Sequence, residues 1–180
     1  MKTNLLILIF FVVGVTTTHA QGINFGLKAG ANFSNLDGDD ANGFSTYTNF
    51  HFGALAELNV LQNFSIQPEL LYSSQGAKVD AAAIKDIKYD YITVPVLAKF
   101  YLTTNRLSLE FGPQFSFLVN ESVPDQFESK TFDFALAGGL AYNITNNFFV
   151  QARYVAGLSE AAKDAEITNK VIQLSAGIKF

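Results

Sequence analysis

The stretch "FSIQPELLYSSQGAK", residues 64–78, decides the fold. Phe64, Ile66, Pro68, Leu70 and Tyr72 share one parity, and Ser65, Gln67, Glu69, Leu71 and Ser73 share the other. Side chains of a β-strand alternate across the sheet with period two, so the stretch reads as a strand with one greasy face and one largely polar face. Two residues make it unusual. Glu69 sits mid-strand beside Gln67, where a soluble core takes apolar residues. Pro68 removes a ladder donor from what otherwise reads as an interior strand.

The same alternation recurs through the chain and predicts eight strands. They span residues 23–33, 48–58, 64–78, 91–102, 107–118, 132–144, 148–158 and 170–180. Each is about the ~9–11 residues that a tilted strand needs to cross a bilayer. Their connections alternate as well. Three are short, at 59–63, 103–106 and 145–147, and four are longer and polar, at 34–47, 76–90, 119–131 and 159–169. An even strand count with short turns at one end and long loops at the other is the pattern of an outer-membrane barrel. The prediction is an all-β, eight-stranded antiparallel up-and-down transmembrane barrel. Both termini then lie with the short turns, in the periplasm.

Residues 1–20 read as a cleaved secretory signal peptide, leaving residues 21–180 as one outer-membrane barrel domain. Lys2 supplies the positive start, "LLILIFFVVGV" the apolar run, and Thr18-His19-Ala20 the small residues of a cleavage site. Composition agrees with export to a membrane. There are 18 Phe and 7 Tyr but no Trp and no Cys, so a disulfide scaffold and a thiolate metal site are excluded. The net charge of −4 is mild, and no basic cluster points to nucleic acid.

A soluble lipocalin-like barrel is the rival, with its apolar face turned inward. The Phe, Leu and Ile of eight such segments overfill the interior of an eight-stranded barrel, which is just wide enough for side chains. The other parity carries Gly26, Gly30, Gly53, Gly112, Gly139, Gly157 and Gly177, which suit a crowded lumen. The lumen face then holds Lys28, His51, Glu57, Glu69, Lys99, Glu110, Arg153 and Lys179. Unpaired buried charge is costly, so these residues are expected to form a structural network of ion pairs and hydrogen bonds. Lys99 or Arg153 is the expected partner of Glu69. Such a network fills the lumen and argues against a wide aqueous pore. Pro68, Pro95 and Pro113 fall in three consecutive strands, with a bulge or a break of register expected at each.

Six motifs in order, "FSIQPELLYSSQGAK", "YITVPVLAKFYL", "LEFGPQFSFL", "FDFALAGGLAYNI", "RYVAGLSE" and "QLSAGIKF", resemble the PorT-like outer-membrane beta-barrel domain common in Bacteroidetes. The resemblance implies an eight-stranded barrel in the outer membrane and says little about biochemistry. The namesake assists export of secreted virulence proteins and gliding components, a role not carried over to this chain. The terminal Phe180 resembles the aromatic end that barrel-assembly machinery reads.

No active site stands out. His51 is the only histidine outside the leader, which excludes a multi-His metal site. A nucleophilic arrangement would pair it with Glu57 or Glu69 and with Ser73, Ser108 or Ser116. The expectation is no enzyme, no metal and no cofactor. Asp37, Asp39 and Asp40 lack the downstream Glu of a calcium loop and read as solvated. The expected function is a structural or interaction barrel that displays external loops, with aid to export or envelope assembly as an extension. Its partners are outer-membrane lipid, the assembly machinery during insertion and an unidentified protein. The alternatives are a porin-like small-solute transporter, a lipid-modifying barrel and the soluble ligand-binding barrel.

Overall fold

A computed structural model describes residues 22–37, 44–79, 87–103, 106–122, 131–158 and 168–180. Residues 1–21, over which a signal peptide is expected, Asp39, Asp40 and most of the four long connections lie outside the described residues. The strands are β1 (Ile23–Asp37), β2 (Phe44–Leu61), β3 (Phe64–Val79), β4 (Ile87–Tyr101), β5 (Leu107–Ser122), β6 (Phe132–Asn143), β7 (Phe148–Gly157) and β8 (Thr168–Lys179). Each is antiparallel to its sequence neighbour, and β8 closes on β1 to complete the barrel. Closure pairs every edge, so backbone groups in a membrane find partners within the sheet.

Several strands outrun the sequence reading at the long-loop end. β1 continues to Asp37, β2 starts at Phe44, β3 reaches Val79, β4 starts at Ile87 and β5 reaches Ser122. Stretches assigned to loops are therefore partly ladder. The backbone goes on pairing there although the apolar alternation that marks a strand in the sequence fades.

The short-turn end is tied together by backbone bonds around its rim. The Tyr101 amide donates to the Asn63 carbonyl at 2.9 Å, that of Asn143 to Arg106 at 2.8 Å, and that of Phe180 to Phe25 at 2.9 Å. Both ends of the described barrel lie at this rim, where Gly26 pairs with Lys179 and Ile23 with Leu58.

The two faces separate sharply. Leu70 is 57% exposed on the outside, whereas its neighbour Glu69 is 3% exposed in the lumen. Leu27, Phe52, Phe111, Leu140, Phe148 and Leu174 also turn outward. Aromatic pairs mark the outer surface near both rims. Phe64 and Phe100 lie 4.8 Å apart at the short-turn end, and Phe117 and Phe132 lie 5.5 Å apart towards the other. Such an apolar belt is expected of a lipid-facing wall with aromatic girdles and would be an aggregation hazard in water. The lipocalin-like arrangement, greasy inside and polar outside, is the inverse of this one.

Close approach of the strands explains two of the lumen glycines. A Cβ on Gly30 would fall on the Leu174 carbonyl oxygen, and one on Gly112 would fall on that of Val96. Strong coiling brings the backbones together at these points and leaves no room for a side chain.

The prolines line up. Pro68 stands opposite Val96, Pro95 opposite Gln114 and Pro113 opposite Leu136, a diagonal across β3, β4 and β5. Pairing lapses between Pro68–Val96 and Leu71–Thr93, and between Pro95–Gln114 and Ala98–Phe111. The register is the same on both sides of each gap, so the expected bulge at the prolines is corrected to a plain gap in the ladder. The shifts that do occur lie elsewhere, between Thr46 and His51 and between Asn59 and Leu61 against β3, and between Asp90 and Tyr91 against β5.

Candidate functional site: a charged ladder through the lumen

Alternation along each strand turns Lys28, Glu57, Glu69, Lys99, Glu110, Arg153 and Lys179 into the lumen, and all seven are buried there. They connect in one chain of alternating sign. Lys28 Nζ lies 2.8 Å from Glu69 Oε2. Arg153 grips the same carboxylate from the opposite wall, Nη1 to Oε2 and Nη2 to Oε1, each at 2.8 Å. Arg153 Nη2 also reaches Glu110 Oε2 at 3.4 Å. Lys99 Nζ bridges Glu110 and Glu57, both at 3.4 Å. Lys179 Nζ donates to Glu57 at 3.1 Å and ends the series at the short-turn mouth.

Neutral side chains complete the ladder. Lys28 Nζ donates to Gln151 Oε1 at 2.9 Å, and Gln151 Nε2 donates to Glu110 at 2.5 Å. Lys99 Nζ donates to Gln67 Oε1 at 3.0 Å, and Gln67 Nε2 donates to Glu69 at 2.8 Å. The Tyr101 hydroxyl donates to Glu57 Oε1. Of the two partners expected for Glu69, Arg153 bonds it directly. Lys99 reaches it only through Gln67, because its ammonium lies between Glu57 and Glu110. The ladder carries four cations and three carboxylates, so a cation ends it at both extremes.

His51 does not join the charged ladder. Its Nδ1 lies 2.7 Å from Asn32 Oδ1 and its Nε2 lies 2.8 Å from Ser175 Oγ. Asn32 Nδ2 donates to the carbonyls of Phe50 at 3.2 Å and Ser74 at 2.7 Å, which fixes the amide with its oxygen towards the imidazole. Gln173 Nε2 donates to the same oxygen at 3.0 Å. In the neutral ring Nδ1 therefore carries the proton, and Nε2 accepts from the Ser175 hydroxyl. Glu57, Glu69, Ser73, Ser108 and Ser116 were the partners considered from sequence, but Asn32 and Ser175 are the residues that meet His51. All three members of this set are buried, Ser175 at 7% exposure. The bonds tie β1, β2 and β8 together across the closing seam.

Apolar side chains also enter the lumen. Leu97, Ala135, Ala137, Val155 and Val171 pack as one buried cluster. The interior is thus filled by charge at the short-turn end and in the middle, and by mixed packing above. Among the described residues no group of His, Cys, Asp and Glu is placed to hold a metal ion.

Sequence reasoning took the charged residues and overlooked Asn32, Gln67, Tyr101, Gln151, Gln173 and Ser175 as members of the network. All sit on the lumen parity. The signal was the set of amide and hydroxyl side chains on the same parity as the charges.

Known proteins fit this architecture. The crystal structure of Neisserial surface protein A superposes with a TM-score of 0.62 at 16% identity, covering 87% of this chain and 97% of that one. The crystal structure of Ail, the attachment invasion locus protein of Yersinia pestis, gives 0.57 at 18% identity, with 88% and 99% covered. The solution structure of E. coli outer membrane protein W gives 0.52 at 16% identity, with 91% and 100% covered. These likenesses bear on fold alone. No curated protein matches the sequence significantly. A family model for the outer membrane protein beta-barrel domain matches residues 18–163. With an apolar outer wall, a charged interior and that match, the chain belongs to the family of outer-membrane β-barrel domains.

Proposed function

We propose that this outer-membrane barrel is a closed structural or interaction scaffold that displays its long loops at the cell surface. The observation that carries the reading is the ladder from Lys28 to Lys179, whose buried partners occupy the lumen from wall to wall. A transporter needs a continuous wet path, and these charges are spent on each other. Planar-bilayer recording tests this. The folded barrel is expected to give no steady open-pore current, and a stable conductance would replace the scaffold with a transporter.

The same reading puts both termini and the short turns in the periplasm, with residues 1–20 removed after export. It makes the chain a PorT-like barrel of the Bacteroidetes type, inserted by the assembly machinery through its terminal Phe180. It is a scaffold without catalytic activity. An unidentified protein partner binds the loops, and aid to export or envelope assembly follows from that contact. Crosslinking in intact cells followed by capture of the barrel tests for that partner. Failure to crosslink any protein would leave lipid as its only neighbour and remove the interaction role.

A further inference from the structure

The scaffold reading gives no task to the short-turn mouth of the barrel. A cavity of about 700 Å³ opens there, within the range of ordinary small-molecule sites. Its lining is rich in amide residues, Asn24, Asn59, Asn143, Asn146 and Asn147 among them, and includes the aromatic residues Tyr101 and Phe180. Its floor holds Glu57 and Lys179, which are already paired with each other at 3.1 Å. The Tyr101 hydroxyl and Lys99 take up the rest of that carboxylate.

Two of the amides are held in fixed orientation. Asn59 Oδ1 accepts from Ser65 Oγ at 2.9 Å, so its Nδ2 remains as the donor. Asn147 Nδ2 donates to the Lys179 carbonyl at 2.8 Å, so its Oδ1 remains as the acceptor. A pre-set donor and a pre-set acceptor cost little ordering on binding.

This chemistry narrows the ligand. A phosphate seeks unshared cations and bidentate Arg, and the Lys at this floor is shared with a carboxylate. An acyl chain seeks apolar walls. Amides offer a donor and an acceptor side by side, which match hydroxyl and acetamido groups, and aromatic faces cover sugar rings. The geometry points to a binding site for an N-acetylated glycan at the periplasmic mouth, the occupant being a cell-wall glycan strand. The inference rests on the reading that the short turns face the periplasm.

The test uses the full barrel folded in detergent micelles. It is titrated calorimetrically with N,N′-diacetylchitobiose and with cellobiose, which has the same linkage but no acetamido groups. The expected result is saturable binding of the first, with cellobiose about tenfold weaker, the scale of one or two lost hydrogen bonds. Asn24→Leu and Asn59→Leu should each weaken the acetylated sugar several-fold while gel mobility still reports a folded barrel. Asn120→Leu, at the opposite end, should leave binding unchanged. Equal affinity for the two sugars, no binding to the folded barrel, or indifference to the Asn24 and Asn59 changes would each overturn the site. Gln62→Cys or Asn146→Cys separately reports the side of the membrane. Labelling from outside intact cells would remove the cell-wall occupant, while the micelle titration still reads the sugar chemistry.

Discussion

Arg153 on β7 and Glu69 on β3 meet across the lumen in a two-pronged pair, both contacts at 2.8 Å. Three strands lie between β3 and β7 either way round the closed ring, so the pair spans opposite walls. The guanidinium fork matches the carboxylate in plane, which fixes direction as well as distance. Lys28 binds the same carboxylate from β1. Glu69 is thus the node where three strands are braced against each other through the interior.

Removing that node's charge should be costly. Glu69→Gln leaves Arg153 and Lys28 facing a neutral amide in a closed lumen. A buried pair broken on one side costs about 3–5 kcal/mol. Unfolding from lipid vesicles at one pH should show a loss of that order. Adding Arg153→Met should recover part of it, because the stranded charge goes too. Lys99→Met combined with Glu69→Gln should show weaker coupling, since Gln67 stands between them. Equal coupling of Glu69 to Lys99 and to Arg153 would contradict the geometry.

The outer face makes the complementary prediction. Leu70 is adjacent to Glu69 in sequence and points into lipid. Leu70→Arg should destabilise the barrel by roughly 2–4 kcal/mol if it lies near the midplane, and less towards an interface. Leu70→Ala should cost less. A neutral Leu70→Arg in the same unfolding measurement would mean that this wall is not against hydrocarbon.

The strand face of nearly every residue was legible in the sequence, because lipid and a crowded lumen impose opposite demands at alternate positions. Leu70 and Glu69 show it in two letters. The strand ends were not, since 34–37 and 119–122 pair in the ladder but are mostly polar in sequence and break the apolar alternation. Register was also hidden. Nothing local to Pro68 says that Pro95 and Pro113 fall on its diagonal, because that depends on how neighbouring strands slide. The same gap obscured partner choice. Parity placed Lys99 in the lumen but not its depth or its wall, and those decided that it binds Glu57 and Glu110.

Gly30 carries a steric prediction. A methyl group there would meet the Leu174 carbonyl oxygen, the Ser175 Cα and, at 2.8 Å, the His51 Cε1. Two of these are backbone and cannot swing away. Gly30→Ala should therefore lower refolding yield and weaken the β1–β8 seam, read as loss of the heat-sensitive fast-migrating band. Gly138→Ala should be mild, since its nearest neighbour would be 3.7 Å away.

The geometry of Ser175, His51 and Asn32 invites a hydrolase reading, and its surroundings argue against one. A serine nucleophile needs its base to take the proton and an orienting group to hold the base, and both contacts are in place at 2.8 and 2.7 Å. It also needs a carbonyl carbon within reach and donors aimed at the developing oxyanion. Ser175 lies on a strand whose backbone pairs with β1 and β7 on either side, which engages the nearby amides in the ladder. Its hydroxyl points into the packed lumen towards His51 Nε2, and only 7% of the residue is exposed. On the proposed scaffold reading the set is a brace at the seam, tying β1, β2 and β8. A fluorophosphonate probe should leave Ser175 unmodified in the folded barrel, read by mass spectrometry of the peptide that contains it. His51→Ala should instead lower stability, by about 1–3 kcal/mol for the buried polar partners it strands. Stoichiometric labelling of Ser175, abolished by His51→Ala, would make the barrel an enzyme and remove the scaffold reading.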